Sequence, residues 1–260
     1  MPKREVEMLV QNKKALVLGV ANEKSLAWAI ARRLRHEGAQ VAIGFGAPSS
    51  EKRAQQLAQE LSALFCLHLD VRVDSHWSNL TQALQTHGPF DIVVHSLAFA
   101  DPDALAQGLL RATPEQISEC LAISASSFVR LAQVTAPHLR AGASLQTLTN
   151  IGGERVIPGY GMMGIAKAAL EASVRYLAVE LGPAQVRVNA ISAGPVRTMS
   201  ALGVDGFSEH YVRARERAPL RENTTGEHVA DVALYLACEL SRHVSGEVHY
   251  VDGGLHVLGA

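Results

Sequence analysis

Tyr160 and Lys167 stand seven residues apart in the segment that runs from Asn150 to Lys167. At 3.6 residues per turn, two such positions share a helix face, about 10 Å apart along the axis. A phenol on that face can donate to an oxygen gaining negative charge. An ammonium near it can bind hydroxyls and hold the phenol's pKa down. Alone, the pair also reads as a packing residue at a helix start and a solvated charge, so the elements around it decide.

A second group of residues follows the aliphatic run Ala15–Leu18. There Gly19-Val20-Ala21-Asn22-Glu23-Lys24-Ser25-Leu26 forms a small-residue turn before Ala27, Ile30, Ala31 and Leu34, which mark one helix face. Such a turn lets backbone approach a pyrophosphate, and the helix N-terminus offers unpaired N–H groups and the positive end of its dipole. Gly19, Ser25 and Leu26 are the expected contacts, although only Gly19 of the G-x-G-x-x-G trio is present. A plain strand-to-helix loop has the same composition.

Other strand ends add to the dinucleotide reading. Asp70 could accept from an adenine amino group with Val71 on the ring, or cap a helix. Ser96, Leu97 and Ala98 follow His95 as small residues suited to a ribose or phosphate. Ala193, Gly194, Pro195, Val196 and Thr198 make a turn able to hold a nicotinamide amide. The second strand ends at Gly46 without an acid for a ribose 2′-hydroxyl, and Lys52 and Arg53 follow in reach of a flexible loop, so NADH and NADPH both remain open.

These positions need a frame that brings strand ends together. Aliphatic runs at Ala15–Leu18, Gln40–Phe45, Phe65–Leu69, Asp91–His95, Leu145–Leu148, Val186–Ile191 and Glu247–Val251 alternate with amphipathic stretches. Helices are expected over Ser50–Leu61, Thr113–Leu139 and Tyr160–Leu181, and after a capping box at Thr224 and Glu227. This alternation predicts one α/β domain over residues 1–260, a doubly wound Rossmann-type parallel sheet of about seven strands with helices on both faces. A further helical segment is expected at about 198–222.

Composition removes other classes. With 48% hydrophobic residues and a net charge of −1, nothing favours nucleic acid or a membrane surface. The charged start Met1–Val10 argues against a signal peptide, and three scattered cysteines suit a reducing, cytoplasmic setting. The eleven histidines are dispersed without H-E-x-x-H, so no metal is expected and His95 reads as structural. No G-x-S-x-G follows a strand, which argues against a serine hydrolase.

With these residues in order, the chain resembles the divergent branch of the short-chain dehydrogenase/reductases, specifically the bacterial enoyl-acyl carrier protein reductases. The likeness runs through Gly19-Val20-Ala21 with Ser25, His95-Ser96 with Phe99-Ala100, Glu154-Arg155, Pro158, Tyr160, Met163-Gly164 and Ala166-Lys167-Ala168. It continues through Val186-Arg187-Val188-Asn189-Ala190-Ile191-Ser192-Ala193-Gly194-Pro195 to Val251-Asp252-Gly253-Gly254. Most of the superfamily spaces Tyr and Lys four apart, which would put the Tyr at Met163; seven is the enoyl-reductase spacing.

The resemblance implies hydride transfer from NADH or NADPH to the β-carbon of an unsaturated thioester. Tyr160 would bond the thioester oxygen, Lys167 would hold the nicotinamide ribose, and Ala100 and Met163 would line the acyl pocket. It also implies a dimer or tetramer. The chain departs from the pattern in two respects. Asn150 stands where a second active-site Tyr is common, and Asp205, Ser208 and Glu209 stand where basic residues usually meet an acidic carrier. Arg213, Arg215, Arg217 and Arg221 follow as another basic surface or as a solvated face. A carbonyl reductase acting on a polar substrate through Tyr160 and Asn150, or a non-catalytic nucleotide-binding relative, remain as alternatives.

Overall fold

Residues 8–202 and 206–259 are described by a computed structural model of the chain. The seven aliphatic runs become β1 (Lys14–Leu18), β2 (Gln40–Phe45), β3 (Cys66–His68), β4 (Phe90–His95), β5 (Leu139–Thr149), β6 (Arg187–Ala193) and β7 (Val248–Val251). They pair in the order β3-β2-β1-β4-β5-β6-β7, every pairing parallel. The chain steps outward from β1 to β3, then returns to β4 on the other side of β1. The crevice between the ends of β1 and β4 is therefore the switch point where this fold binds ligands.

Helices cover both faces, as parallel strands without a polar side require. On one face lie α1 (Leu26–His36), α2 (Glu51–Leu61) and α10 (Gly226–Ala237), burying Trp28, Ile30, Leu34, Leu57, Val229 and Leu236. The other face is covered by α3 (Asp74–His87), α6 (Ser127–Thr135) and α7 (Gly161–Leu181), through Trp77, Leu80, Phe128, Leu131, Leu170 and Val174. Helices α4 (Pro102–Gln107), α5 (Pro114–Leu121), α8 (Met199–Leu202) and α9 (Phe207–Arg217) stand beyond the strand ends.

Several expectations change in detail. Thr113 and Gln116 form the predicted capping box, but the helix they open is not continuous to Leu139. A π-helical turn over Ala122–Ser126 separates α5 from α6, and β5 already begins at Leu139. The cap of α10 is Thr225 with His228, one residue beyond the expected Thr224 and Glu227. Thr224 instead donates its hydroxyl to the Val251 carbonyl at 3.0 Å, tying the loop before α10 to β7. Helices α3 and α4 had no prediction, because the polar run Asp74–His87 has weak periodicity and Pro102–Gln107 is short.

Removing the Thr225 side chain strips the first-turn amide of His228 of its acceptor, held at 3.3 Å. Thr225→Ala should lower unfolding free energy by about 1 kcal/mol, read as a lower denaturation midpoint.

Candidate active site

The site is assembled where β5 ends against the start of α7. Three consecutive residues at that strand end each hold one side chain from the α7 segment. The Leu148 carbonyl accepts from Lys167 Nζ at 2.9 Å. The Thr149 hydroxyl donates to Glu171 Oε1 at 2.6 Å. The Asn150 amide donates from Nδ2 to the Tyr160 hydroxyl oxygen. Asn150 Oδ1 in turn accepts from the Gly152 amide at 2.8 Å, so both ends of its side chain are fixed.

Tyr160 is the residue just before α7 rather than its first helical residue. Its ring lies flat against Gly152, where a Cβ would meet ring carbons at 2.6 and 2.7 Å and Asn150 Oδ1 at 2.8 Å. Burial pushes the phenol up to about 12, against the Asn150 hydrogen bond, which lowers it. The expectation that Lys167 holds this phenol down is not met: the ammonium is turned onto Leu148, and burial with Asn150 and Cys120 accounts for the shift. Lys167 is only 5% exposed, and burial lowers it to about 8, with Cys120 and Glu171 opposing.

The apolar wall beside Tyr160 comes from Ala104, Cys120, Met162, Met163 and Ala166, with Ala100 and Leu105 packed on it. Ala100 and Met163 are therefore brought together with the phenol, as expected. Cys120 was missed, being an isolated cysteine in sequence; burial raises its thiol. The π-helical turn holds the wall in place. Ser124 accepts from the Phe99 amide at 3.0 Å and donates to the Phe99 carbonyl at 3.0 Å.

His95 is the structural residue that its position suggested. It is 1% exposed, with Nε2 at 2.8 Å from Ser127 Oγ and Nδ1 at 3.0 Å from Thr147 Oγ1. Ser127 already donates to the Ile123 carbonyl at 2.6 Å, which assigns the ring proton to Nε2. Burial, with the Lys167 charge second, drives the imidazole down to about 3, so it stays neutral and serves no acid–base role near neutral pH.

The dinucleotide candidates line the crevice along the ends of β1, β2, β3, β4 and β6. Register places Leu18 beside both Gly44 and His95, so the turns after these strands open on one edge. Gly19 has φ +100°, and a Cβ there would collide with the Ser96 carbonyl oxygen, so only glycine lets the β1 and β4 turns meet. Leu26, Gly46, Val71, Ser96, Leu97, Ala193, Gly194, Pro195, Val196 and Thr198 are all half-buried here, and Ala98 is exposed.

Two of these residues behave differently from expectation. The Ser25 hydroxyl donates to the Asn22 carbonyl at 2.7 Å and caps Trp28, so it is already used locally. Asp70 caps no helix; Arg72 grips its carboxylate at 2.8 and 3.0 Å and holds it down to about 2. Lys52 and Arg53 lie on α2 rather than on a flexible loop, and Arg53 is paired with Glu23.

Residues Ser208 and Glu209 are exposed on α9, as are Arg213, Arg215 and Arg217; Asp205 lies outside the described residues. Among the described residues no group of His, Cys, Asp and Glu is arranged to hold a metal, and no helix is long and apolar enough to cross a membrane.

Fold and site together define a reductase of the short-chain dehydrogenase/reductase type. The family model described as enoyl-(acyl carrier protein) reductase matches residues 19–256. An NADH enoyl-[acyl-carrier-protein] reductase of Rhizobium meliloti (strain 1021) is 42% identical over 96% of this chain and 93% of its own. A Bacillus cereus enoyl-acyl carrier protein reductase, solved with NADP+ and indole naphthyridinone, superposes with TM-score 0.94 at 40% identity, covering 97% and 99% of the two chains. The Anaplasma phagocytophilum counterpart, solved with NAD, gives TM-score 0.91 at 40% identity over 97% and 95%. The chain belongs to the enoyl-(acyl carrier protein) reductase family.

Gly152→Ala should push the phenol off its seat between Gly152 and Asn150. We expect a fall in kcat of roughly 100-fold with cofactor affinity nearly unchanged, since a misplacement on the order of 1 Å suffices for such a loss. Steady-state kinetics beside a cofactor fluorescence titration checks this.

Proposed function

We propose that the chain reduces the carbon–carbon double bond of α,β-unsaturated acyl thioesters, presented on an acyl carrier protein, with NADH as donor. The observation that carries this reading is the hydrogen bond from the Asn150 amide to the Tyr160 oxygen. Because Oη accepts there, the phenol's own proton is left for another acceptor, the place proposed for a thioester oxygen. With its pKa raised to about 12, Tyr160 remains a neutral donor at working pH.

A nicotinamide held in the crevice would supply hydride to the substrate β-carbon. As negative charge gathers on the thioester oxygen, Tyr160 stabilises it, an effect worth on the order of 2.7–4 kcal/mol for one such donor. Lys167 uses one of its three N–H groups on Leu148, leaving two for the hydroxyls of the nicotinamide ribose. Buried Met162, Met163 and Cys120 exclude water beside the acyl chain. The residues along the crevice fit a dinucleotide: Gly19, Gly46 and Gly194 would let it approach the backbone at the strand ends, and the N-terminal amides of α1 would bind its pyrophosphate. Asp70 would accept from the adenine amino group, and Val71 would pack on the ring.

The NADH preference is supported by the NADH-dependent relatives and by the Arg53–Glu23 pair, which engages the guanidinium that follows the β2 turn in sequence. The carrier is proposed to dock through Arg213 and Arg215 on α9, in place of the positions taken by Ser208 and Glu209. A homo-oligomer in the cytoplasm completes the reading.

Tyr160→Phe should cut kcat on crotonyl thioesters by about 100- to 1000-fold while NADH still binds, as expected for loss of one oxyanion donor. NADH should outperform NADPH by about tenfold or more in kcat/KM, equivalent to roughly 1.4 kcal/mol. Faster turnover of acetoacetyl than crotonyl thioester would instead favour a carbonyl reductase.

A further inference from the structure

Glu171 is a carboxylic acid buried to 5% exposure directly beneath the reactive pair, and nothing in the chemistry above uses it. It lies one helical turn beyond Lys167 on the same inward face of α7, which makes the two side chains neighbours. Its carboxylate is held from β5 by Thr149 Oγ1 at 2.6 Å, one residue beyond the carbonyl that holds Lys167. From the turn after β5 it abuts Gly153, where a Cβ would meet Oε1 at 2.5 Å.

The groups around the two charges are few. His95 on β4 and Cys120 on α5 face Lys167, along with Glu171 itself. Glu171 is faced by Glu154 from the turn after β5 and by Tyr250 from β7, with Lys167 and Arg175 on its own helix. Glu154 accepts from the Tyr250 hydroxyl, and the histidine is neutral. Glu171 is therefore the acid one turn away that faces the buried ammonium, while burial raises its own carboxyl.

We propose that Glu171 is a positioning residue for Lys167: clamped by Thr149, its carboxylate keeps the buried lysine charged and seated for the cofactor ribose. The role assigned to Lys167 rests on the reductase reading above; the charge coupling does not.

The sign follows from the electrostatics. Removing a negative charge near an ammonium makes the cation less favourable, so the lysine loses its proton at lower pH. Glu171→Gln keeps an acceptor for Thr149 and nearly the same volume but removes the charge. The direct measurement is an NMR titration of 13Cε-labelled lysine in the cofactor-free chain, with Lys167→Arg used to assign the signal. The wild-type signal should titrate near 8, and the Gln variant about one unit lower. In parallel, the basic limb of the pH profile for NADH binding and for kcat/KM should move to lower pH by a similar amount.

Thr149→Val, which leaves the acid but removes its clamp, should shift the lysine in the same direction by less. It carries the test if the Gln variant does not fold. An unchanged lysine titration in the folded variants overturns the proposal, leaving Glu171 as a packing group. If the lysine shifts but no enoyl thioester is turned over by the wild type, the coupling stands and the reductase reading fails.

Discussion

Taking an ammonium out of water costs several kcal/mol even after a protein relaxes around it, and Lys167 is almost wholly enclosed. One backbone carbonyl satisfies one of its three donors. Much of the architecture near the site follows from making that position tolerable. The carbonyl lies near the end of β5, one residue past the last β4–β5 pair at Thr147. The lysine must rise from a helix packed tightly on that strand end. Gly164 permits the approach, since a Cβ there would meet the Gly152 carbonyl oxygen at 2.9 Å. What remains is a buried charged group with two further donors beyond the one that Leu148 accepts.

The opposite wall is built by a different device. The π-helical turn between α5 and α6 puts Ser124 and Ser127 where an unbroken helix would not. The first ties down the loop that carries Phe99 and Ala100; the second completes the bonds of His95. His95 sits across from Thr147 in the β4–β5 register, so its ring bridges strand and helix beneath the loop. A neutral imidazole suits this place, because a second cation beside Lys167 would compete for the same scarce stabilisation. Such π turns recur at functional sites for this reason: they place side chains that an α-helical period would turn away.

Much of this was legible in the sequence, for physical reasons. Continuous aliphatic runs mark strands buried on both faces, and six of the seven lie within two residues of their observed ends. The fifth, expected at Leu145–Leu148, begins at Leu139, where exposed Arg140, Ala141 and Gly142 interrupt the aliphatic pattern. Strand ends then predict which turns share an edge, so Gly19, Ser96 and Gly194 could be placed together from pattern alone. Roles set by a specific partner were not legible. Asp70 read as an adenine contact or a cap, and nothing in the chain order signalled that Arg72 would grip it. Glu171 looked like any acid on a long helix, and Cys120 like an isolated thiol. Burial and neighbours decide such groups, and both are consequences of packing.

Asn150 shows how a departure from a family's usual residue can be read once its partners are visible. A tyrosine offers one oxygen on a rigid ring, free to swing about its χ1. The asparagine carries a donor and an acceptor at fixed separation on a short stem, and both are engaged: Oδ1 by the Gly152 amide, Nδ2 by the Tyr160 oxygen. A side chain held at both ends cannot rotate to follow a substrate. It presents one donor to one phenol, and so defines where that phenol's proton points before any ligand arrives. The exchange thus gives up an aromatic ring and gains a preset orientation for the Tyr160 hydroxyl, the property that a donor to developing negative charge most needs.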